Sequence, residues 1–435
     1  MAQFFDQPRY KCALAAMQTV QSIPGAIPIM HSGPGCGIKL NDNTGVSGKF
    51  SINIFPCTSV SEKEVVFGGE EKLHDTIENA IRIIDADLFI VITGCTSEII
   101  GDDIASVVEE FEDAEKKVIY ANTPGFKGSN YNGHDWVMDA IFEQYLPEIE
   151  KPKVQKGLVN IFAGPPIHDP YWYGNLRQLE ALVTEIGLTP NSIFGHDRGM
   201  KNIDKIPNAE FNLLVSPWLG YSSVKILEKK YGTPFLQFPY LPIGATETSR
   251  FLRQVAEFSG SDKELVERVI EKHESEFFYF IERYADLFLE MRIMSKRFVT
   301  VTEAQYAIGL TKFLTHDVGM FPTTQYITDN PPNEFRQKIL DEFKTLNYGV
   351  EAPAEFFTNG MDVHSKIKQT DFAGYPLILG SSHEKALAEQ TYGIYLNISY
   401  PVLTQIVINT GIAGYDGGLK FLEQIYSVAA GRLIL

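Results

Sequence analysis

Past residue 95 the chain has no cysteine, although it runs to 435 residues. Four occur in all: Cys12, Cys36, Cys57 and Cys95. A secreted disulfide scaffold would be shorter and richer in cysteine. No CxxC or HxxxH pair stands near them, and a structural zinc site normally takes four ligands. No run approaches the roughly 18 apolar residues of a membrane-spanning helix. The stretch from Met1 to Tyr10 is polar and aromatic, without the apolar h-region of a secretory signal, so a cytoplasmic protein with no membrane partner is expected. Positive charge is also scarce. Lys and Arg number 38 against 55 Asp and Glu, for a net charge of −17. A protein that tracks a nucleic-acid backbone needs a basic face, so nucleic acid is not an expected partner. The glycine-rich SGPGCG segment at 32–37 fits neither the G-x-G-x-x-G nor the P-loop spacing, which argues against a nucleotide site.

What is present is a rhythm. Short apolar runs alternate with amphipathic stretches, the pattern of parallel sheets flanked by helices. Strands are expected at Ala26–Met30, Leu88–Thr93 and Val118–Ala121, with a helix at Lys72–Ile84. After KPKVQK at 151–156, which reads as a linker, come the strands Leu158–Phe162, Phe211–Val215 and Phe235–Phe238. They alternate with helices at Asn175–Ile186, Ser222–Tyr231 and Glu247–Phe258. A long helical stretch from about Asp262 to Lys296 leads on. The strands Phe298–Val301, Thr323–Ile327, Leu377–Leu379 and Ile394–Ile398 follow, with helices at Glu303–Leu314 and Glu384–Glu389. GYDGG at 414–418 precedes a last helix, Leu419–Ala430. The expected fold is α/β, with three Rossmann-like domains at 1–155, 156–295 and 296–435. Such a length calls for two or three domains in any case.

Cys36 and Cys95 each follow an expected strand and stand beside glycine. Ligands in open α/β sheets gather beyond the carboxyl ends of strands, and glycine lets backbone approach a bulky group. Thiolates are the usual ligands of iron–sulfur clusters. Free cysteine also often fills core space, and on pattern alone packing and ligation are about evenly supported at these two positions. Asp102 and Asp103 at a helix start complement the helix dipole. YWY at 171–173 reads as packing or interface. The histidines at 134, 168, 196, 273, 316, 364 and 383 are scattered, and none is assigned a ligand role.

The motifs resemble those of the nitrogenase component 1 family, and within it the β-type subunit. KCALAAM at 11–17, HSGPGCG at 31–37 and GCTSEIIGDDI at 94–104 are similar to its three cysteine motifs. EVVFGGEEKL at 64–73 is similar to its FGG segment. NTPGFKGSNYNGHD at 122–135 and LPIGATETSRFL at 241–252 resemble further β-type elements.

The resemblance implies that Cys12, Cys36 and Cys95 bind a P-cluster of 8Fe-7S type shared with an α-type subunit, with a simpler 4Fe-4S cluster as the alternative. It implies that Phe67 lies at the docking face for an ATP-hydrolysing Fe protein, and that two α and two β subunits assemble. Electrons would pass through this chain to a catalytic metallocluster on the α subunit. That metallocluster needs a late cysteine, which this chain lacks. Two positions depart from the pattern. Gly125 replaces a serine that adds an oxygen ligand in well-studied members, and Cys57 matches no ligand position. These departures suggest a nitrogenase-like paralogue, with the methylthio-alkane reductases leading. A dinitrogen-reducing nitrogenase of molybdenum, vanadium or iron-only type is the alternative. A cofactor-assembly scaffold is the reading from another class.

Overall fold

The structure is a computed structural model that describes residues 9–41, 55–290 and 294–431. Most of the expected Met1–Tyr10 stretch, and residues 291–293 of the expected long helix, lie outside the described residues.

Three parallel sheets form in chain order. The first holds β1 (Ala26–His31), β2 (Leu88–Thr93) and β3 (Lys117–Ala121), in that order. Ala26 pairs with Leu88, and Leu88 with Lys117. All six residues of β2, LFIVIT, are buried, as a central parallel strand covered on both faces requires. The helix Glu70–Ile83 lays Leu73, Ile77 and Ala80 against this sheet, a four-then-three spacing that makes one apolar stripe.

The second sheet is ordered β5 (Thr189–Asn191), β4 (Gln155–Ala163), β6 (Ala209–Val215), β7 (Phe235–Phe238). The third runs β11 (Ala354–Phe356), β10 (Gln325–Ile327), β8 (Arg297–Thr302), β12 (Leu377–Gly380), β13 (Ile394–Asn397), with β9 (Phe321–Pro322) pairing beside β8. In both sheets the chain adds strands on both sides of a central one, so each has a switch point at its carboxyl edge. One continuous apolar core draws on all three sheets, and smaller clusters cover the outer faces of the first and third. Among the described residues no helix is long and apolar enough to cross a membrane.

Several expectations shift. β4 begins at Gln155, so the last two residues of the expected linker are already strand. The final helix spans Gly414–Gly431 and absorbs the GYDGG segment expected to precede it. The glycines are needed for contact there: a Cβ on Gly418 would lie 2.7 Å from the Gly244 Cα, where the helix Gly244–Ser259 begins. Unanticipated helices form at Asn130–Ala140, Asn333–Glu342 and Gly360–Gln369.

The N-terminal segment is tied to the third sheet. Arg9 donates from Nη1 to Glu384 Oε2 at 2.8 Å and from Nη2 to Oε1 at 2.5 Å, and both side chains are buried. This pair holds the strand-like segment that leads into Cys12.

Candidate metal centre

Each of the three expected ligand cysteines lies at the cap or in the first turn of a helical segment. Cys12 is the N-cap of the short turn Ala13–Ala16 and bridges to Ser129. Its approach is clamped by Asn130, whose Oδ1 accepts from the Lys11 N–H at 3.0 Å and whose N–H donates to the Lys11 carbonyl at 2.9 Å. Cys36 is the third residue of the helix Pro34–Asn41, directly after β1. Cys95 is the first residue of the helix Cys95–Ile100, directly after β2. Neighbouring β1 and β2 therefore deliver two thiols to the same sheet edge.

Gly125 joins this group from the loop after β3. A Cβ built on it would lie 2.8 Å from Cys12 Cβ and 3.3 Å from the sulfurs of both Cys12 and Cys95. Burial raises the Cys12 thiol above its ordinary value, a backbone hydrogen bond from Leu14 opposes this, and the nearby Cys95 and Cys36 raise it further. All three cysteines thus share one electrostatic neighbourhood. Cys12 nevertheless keeps an open outer face, and Cys36 and Cys95 are half-buried. Around them Ile99 is 74% exposed and Phe126 is 58% exposed. Sulfur flanked by exposed apolar side chains suits a surface that another chain covers.

No group of three or more His, Cys, Asp or Glu among the described residues is spaced to hold a single metal ion. Thiolates on one tetrahedral ion must crowd together, at metal–sulfur distances of about 2.3 Å. Thiolates on separate irons of a cluster stand wider apart. The donor set, three thiols around the bare face of Gly125, therefore fits an iron–sulfur cluster better than zinc. Cys57 is engaged otherwise: its Sγ accepts from the Ser59 N–H at 3.2 Å and donates to the Ser32 carbonyl at 3.6 Å.

A buried pair braces two of these loops. His31, at the end of β1, bonds through Nε2 to Asp102 Oδ2 at 2.9 Å and through Nδ1 to Thr58 Oγ1 at 3.1 Å. Its carbonyl accepts from Ser97 Oγ and from the Gly94 N–H, on either side of Cys95. Burial holds the imidazole below its ordinary value, against the pull of Asp102. The other Asp102 oxygen accepts from the Gly69 N–H at 2.7 Å, two residues beyond Phe67. Only Asp103 caps a helix, accepting from the Ser106 N–H, so the dipole reading of the acidic pair holds for one member alone. An Asp at a turn between two glycine-bearing segments was the available signal for the other role. Phe67 ends the helix Glu62–Phe67 and is 82% exposed, next to the exposed Val66.

The crevice between the second and third sheets is closed. Asp169, Trp218, Glu303, Tyr306 and Asp329 meet beyond the ends of β4, β6 and β8, around a cavity of about 20 Å³. That is room for one water molecule. Burial drives the Asp169 and Asp329 carboxyls up to about 7. Tyr306 donates to Asp169, and Trp218 to Asp329. Tyr171, of the YWY segment, is buried nearby and donates to the Asn397 carbonyl at 3.0 Å, a packing role.

The family profile described as nitrogenase component 1 type oxidoreductase matches residues 12–430. The nitrogenase molybdenum-iron protein β chain of Clostridium pasteurianum is 24% identical over 97% of this chain and 92% of its own length. The nitrogenase molybdenum-iron protein α chain of Methanosarcina barkeri is 29% identical over 63% of this chain and 52% of its own. A solved chain of nitrogenase Cp1 superposes with a TM-score of 0.80 at 21% identity, covering 100% of this chain and 95% of that one, a likeness of fold.

Proposed function

The chain belongs to the nitrogenase component 1 type oxidoreductases, and from that premise we propose that it is the β-type, electron-relaying subunit of a two-component reductase. Cys12, Cys36 and Cys95 are its ligands for an iron–sulfur cluster shared with an α-type partner. The observation that carries this reading is the meeting of the Cys12 and Cys95 sulfurs at the bare face of Gly125, with Cys36 in electrostatic reach. When bound, the cluster supplies a one-electron relay. The chain's own residues supply the thiolates, the rigid loops braced by His31 and Asp102, and the apolar rim that excludes water once a partner covers it. Exclusion of water and net charge tune such a site. Division of the chain at 155/156 and 295/296 belongs to the same reading, supported by three sheets whose strands fall one sheet to a segment, except that β4 begins one residue early, at Gln155.

Metal analysis of the complex purified with its α-type partner tests the cluster. Beyond the iron of the partner's own metallocluster, about eight irons per αβ pair support the P-type, and about four support the simpler one. The absence of any cysteine after Cys95 supports placing the catalytic metallocluster on the partner.

Phe67 would anchor the reductase. Truncating a central aromatic anchor commonly costs 2 kcal/mol or more, about 30-fold in affinity. Phe67→Ala is expected to raise the reductase concentration needed for half-maximal turnover by about that factor while iron content stays constant. Equal half-maximal concentrations would remove Phe67 from the docking face.

Gly125 gives a second expectation. A methyl there must displace Cys12, since 2.8 Å between carbons is closer than contact allows. Overpacking of this size costs about 1–3 kcal/mol. Gly125→Ala should lower iron occupancy of the purified complex, measured against protein, and leave its secondary structure intact by circular dichroism.

For the substrate, we propose reductive cleavage of methylthio-alkanes, in which R–S–CH₃ takes up two electrons and two protons to give R–H and methanethiol. Gly125 in place of serine supports a paralogue. Dinitrogen reduction is the competing reading, supported by the β-chain relatives. Assaying the complex with its reductase on both substrates separates them: methanethiol without ammonia supports the first, ammonia from dinitrogen the second.

A further inference from the structure

We infer that the closed crevice where the three segments meet is a proton-holding water site, in which Asp169 carries a proton on Oδ2 at neutral pH and donates it to one enclosed water molecule. The inference is independent of the cluster reading. The first segment brings Tyr131 to this crevice, the second brings His168, Asp169 and Trp218, and the third brings Glu303 and Asp329. All three carboxyl groups are buried, and no Lys or Arg lines the cavity of about 20 Å³. Without a cation the three do not all stay charged, because burial penalises each charge and each carboxylate repels the others.

The hydrogen bonds single out Asp169. Glu303 accepts at Oε1 from the Tyr131 and Ser399 hydroxyls, each at 2.8 Å, and at Oε2 from Thr302 Oγ1 at 2.6 Å. Asp329 accepts from Trp218 Nε1 at 2.8 Å and from the Ala304 N–H at 3.2 Å, one donor on each oxygen. Donors on both oxygens favour the charged form. On Asp169 the Tyr306 hydroxyl at 2.6 Å and the Tyr171 N–H at 2.8 Å both go to Oδ1. Among the described residues none donates to Oδ2, which faces bare Gly164, where a Cβ would stand 2.8 Å away. Oδ2 is therefore the oxygen with a place for a proton. A second group in the cavity wall is also unmatched. His168 is 2% exposed, and its Nε2 has no hydrogen-bond partner among the described residues. A buried water needs at least two polar partners. The Oδ2–H donor and the Nε2 acceptor supply them.

Burial drives the Asp169 carboxyl up to about 7 against the bonds from Tyr306 and Tyr171, and Glu303 adds to the rise. Burial raises Asp329 as far, yet of the two only Asp169 has the unoccupied oxygen. Burial also holds His168 down at about 3, and the charges of Lys11 and His134 lower it further, so the imidazole is neutral and offsets no negative charge. As pH rises through 7 the Oδ2–H bond breaks, the proton leaves to solvent, and a third carboxylate is left in the crevice. The sign follows from linkage. A carboxyl raised above its unfolded value gives stability that is complete below that unfolded value and is lost as pH rises through the folded one. The joint between the three segments therefore loosens toward alkaline pH.

The experiment uses the full chain in complex with its α-type partner and follows the infrared band of protonated carboxyl groups from about pH 6 to about pH 8. In the wild type a buried component should disappear through about pH 7. Asp169→Asn should lack that component, and Asp329→Asn should keep it. Tyr306→Phe removes a donor that favours the charged form, so the component should persist to higher pH, a shift that tests the assignment even if Asp169→Asn fails to fold. Opening of the crevice is read from exchange of the Tyr171 amide, corrected for the intrinsic effect of pH. It should increase about tenfold over the same range in the wild type and stay flat in Asp169→Asn. The proposal is overturned if the wild type shows no such component, if Asp169→Asn retains it, if only Asp329→Asn loses it, or if Tyr306→Phe leaves its midpoint unmoved. Equal increases in exchange in the wild type and Asp169→Asn overturn the pH dependence of the joint.

Discussion

Cys95→Ala is expected to strip the shared cluster's iron from the complex. Cys95 opens the helix Cys95–Ile100, and its sulfur meets Cys12 across Gly125. Three thiols from this chain would hold their half of the shared cluster, so the loss of one leaves an iron without its anionic ligand beside an open surface. Changes to groups that merely orient a ligand commonly cost about 10–100-fold in metal affinity. Removing a ligand outright should exceed that range. Iron per αβ pair should fall by the full content of the shared cluster, leaving only what the α-type partner's own metallocluster holds, with loss of the shared cluster's EPR signals and of reductase-driven turnover. Cys57→Ala is the control. Its sulfur is engaged by Ser59 and Ser32 rather than by the other thiols, so iron content should not change. Full iron in Cys95→Ala, or equal loss in Cys57→Ala, would sink the ligand assignment.

Much of the first sheet was legible because its central strand is an almost unbroken apolar run, LFIVIT. Leu88–Thr93 is bounded on one side by the Asp-bearing turn at 85–87 and on the other by glycine, and the structure keeps those limits. The edges that moved did so for tertiary reasons. GYDGG looks like a loop in isolation, and only the contact of Gly418 with Gly244 shows why glycine opens a helix there. The cysteine spacing of 24 and 59 residues carries no short metal motif, so convergence at Gly125 depends on a sheet order that pattern alone does not state. The link from Asp102 to Gly69 was hidden for a similar reason. It joins segments 33 residues apart through a side chain whose neighbour, Asp103, does what the local pattern suggests.

Glu384→Ala is expected to free the segment that carries Cys12. Glu384 is fully buried and accepts two bonds from Arg9, one from the Ser381 N–H at 2.8 Å, and faces His364 Nε2 at 2.8 Å. Burial by itself would raise the carboxyl, but Arg9 and His364 outweigh it and hold it at about 2, below the ordinary 4.5. A depressed folded value means that the stabilisation is present above the unfolded value and fades as pH falls from about 4.5 toward 2. That shift corresponds to about 3 kcal/mol at 1.36 kcal/mol per unit. Breaking a buried pair by deleting one partner typically costs about 3–5 kcal/mol, because the other charge stays buried. Arg9 precedes Cys12 by three residues, so the cost should appear there first. Hydrogen exchange of the Lys11 and Ala13 amides, bonded to Asn130 and to the Gly128 carbonyl, should speed up by about 200- to 5,000-fold. Iron occupancy should drop with it, since one ligand would sample positions away from the other two. Replacing both partners, Arg9→Met with Glu384→Leu, removes the stranded charge and should recover most of the protection, because apolar pairs of similar volume often replace buried ion pairs without loss. Wild-type exchange in Glu384→Ala would show that the Arg9 anchor does not position Cys12, and a double variant no better than the single would show that packing, rather than charge, holds the segment.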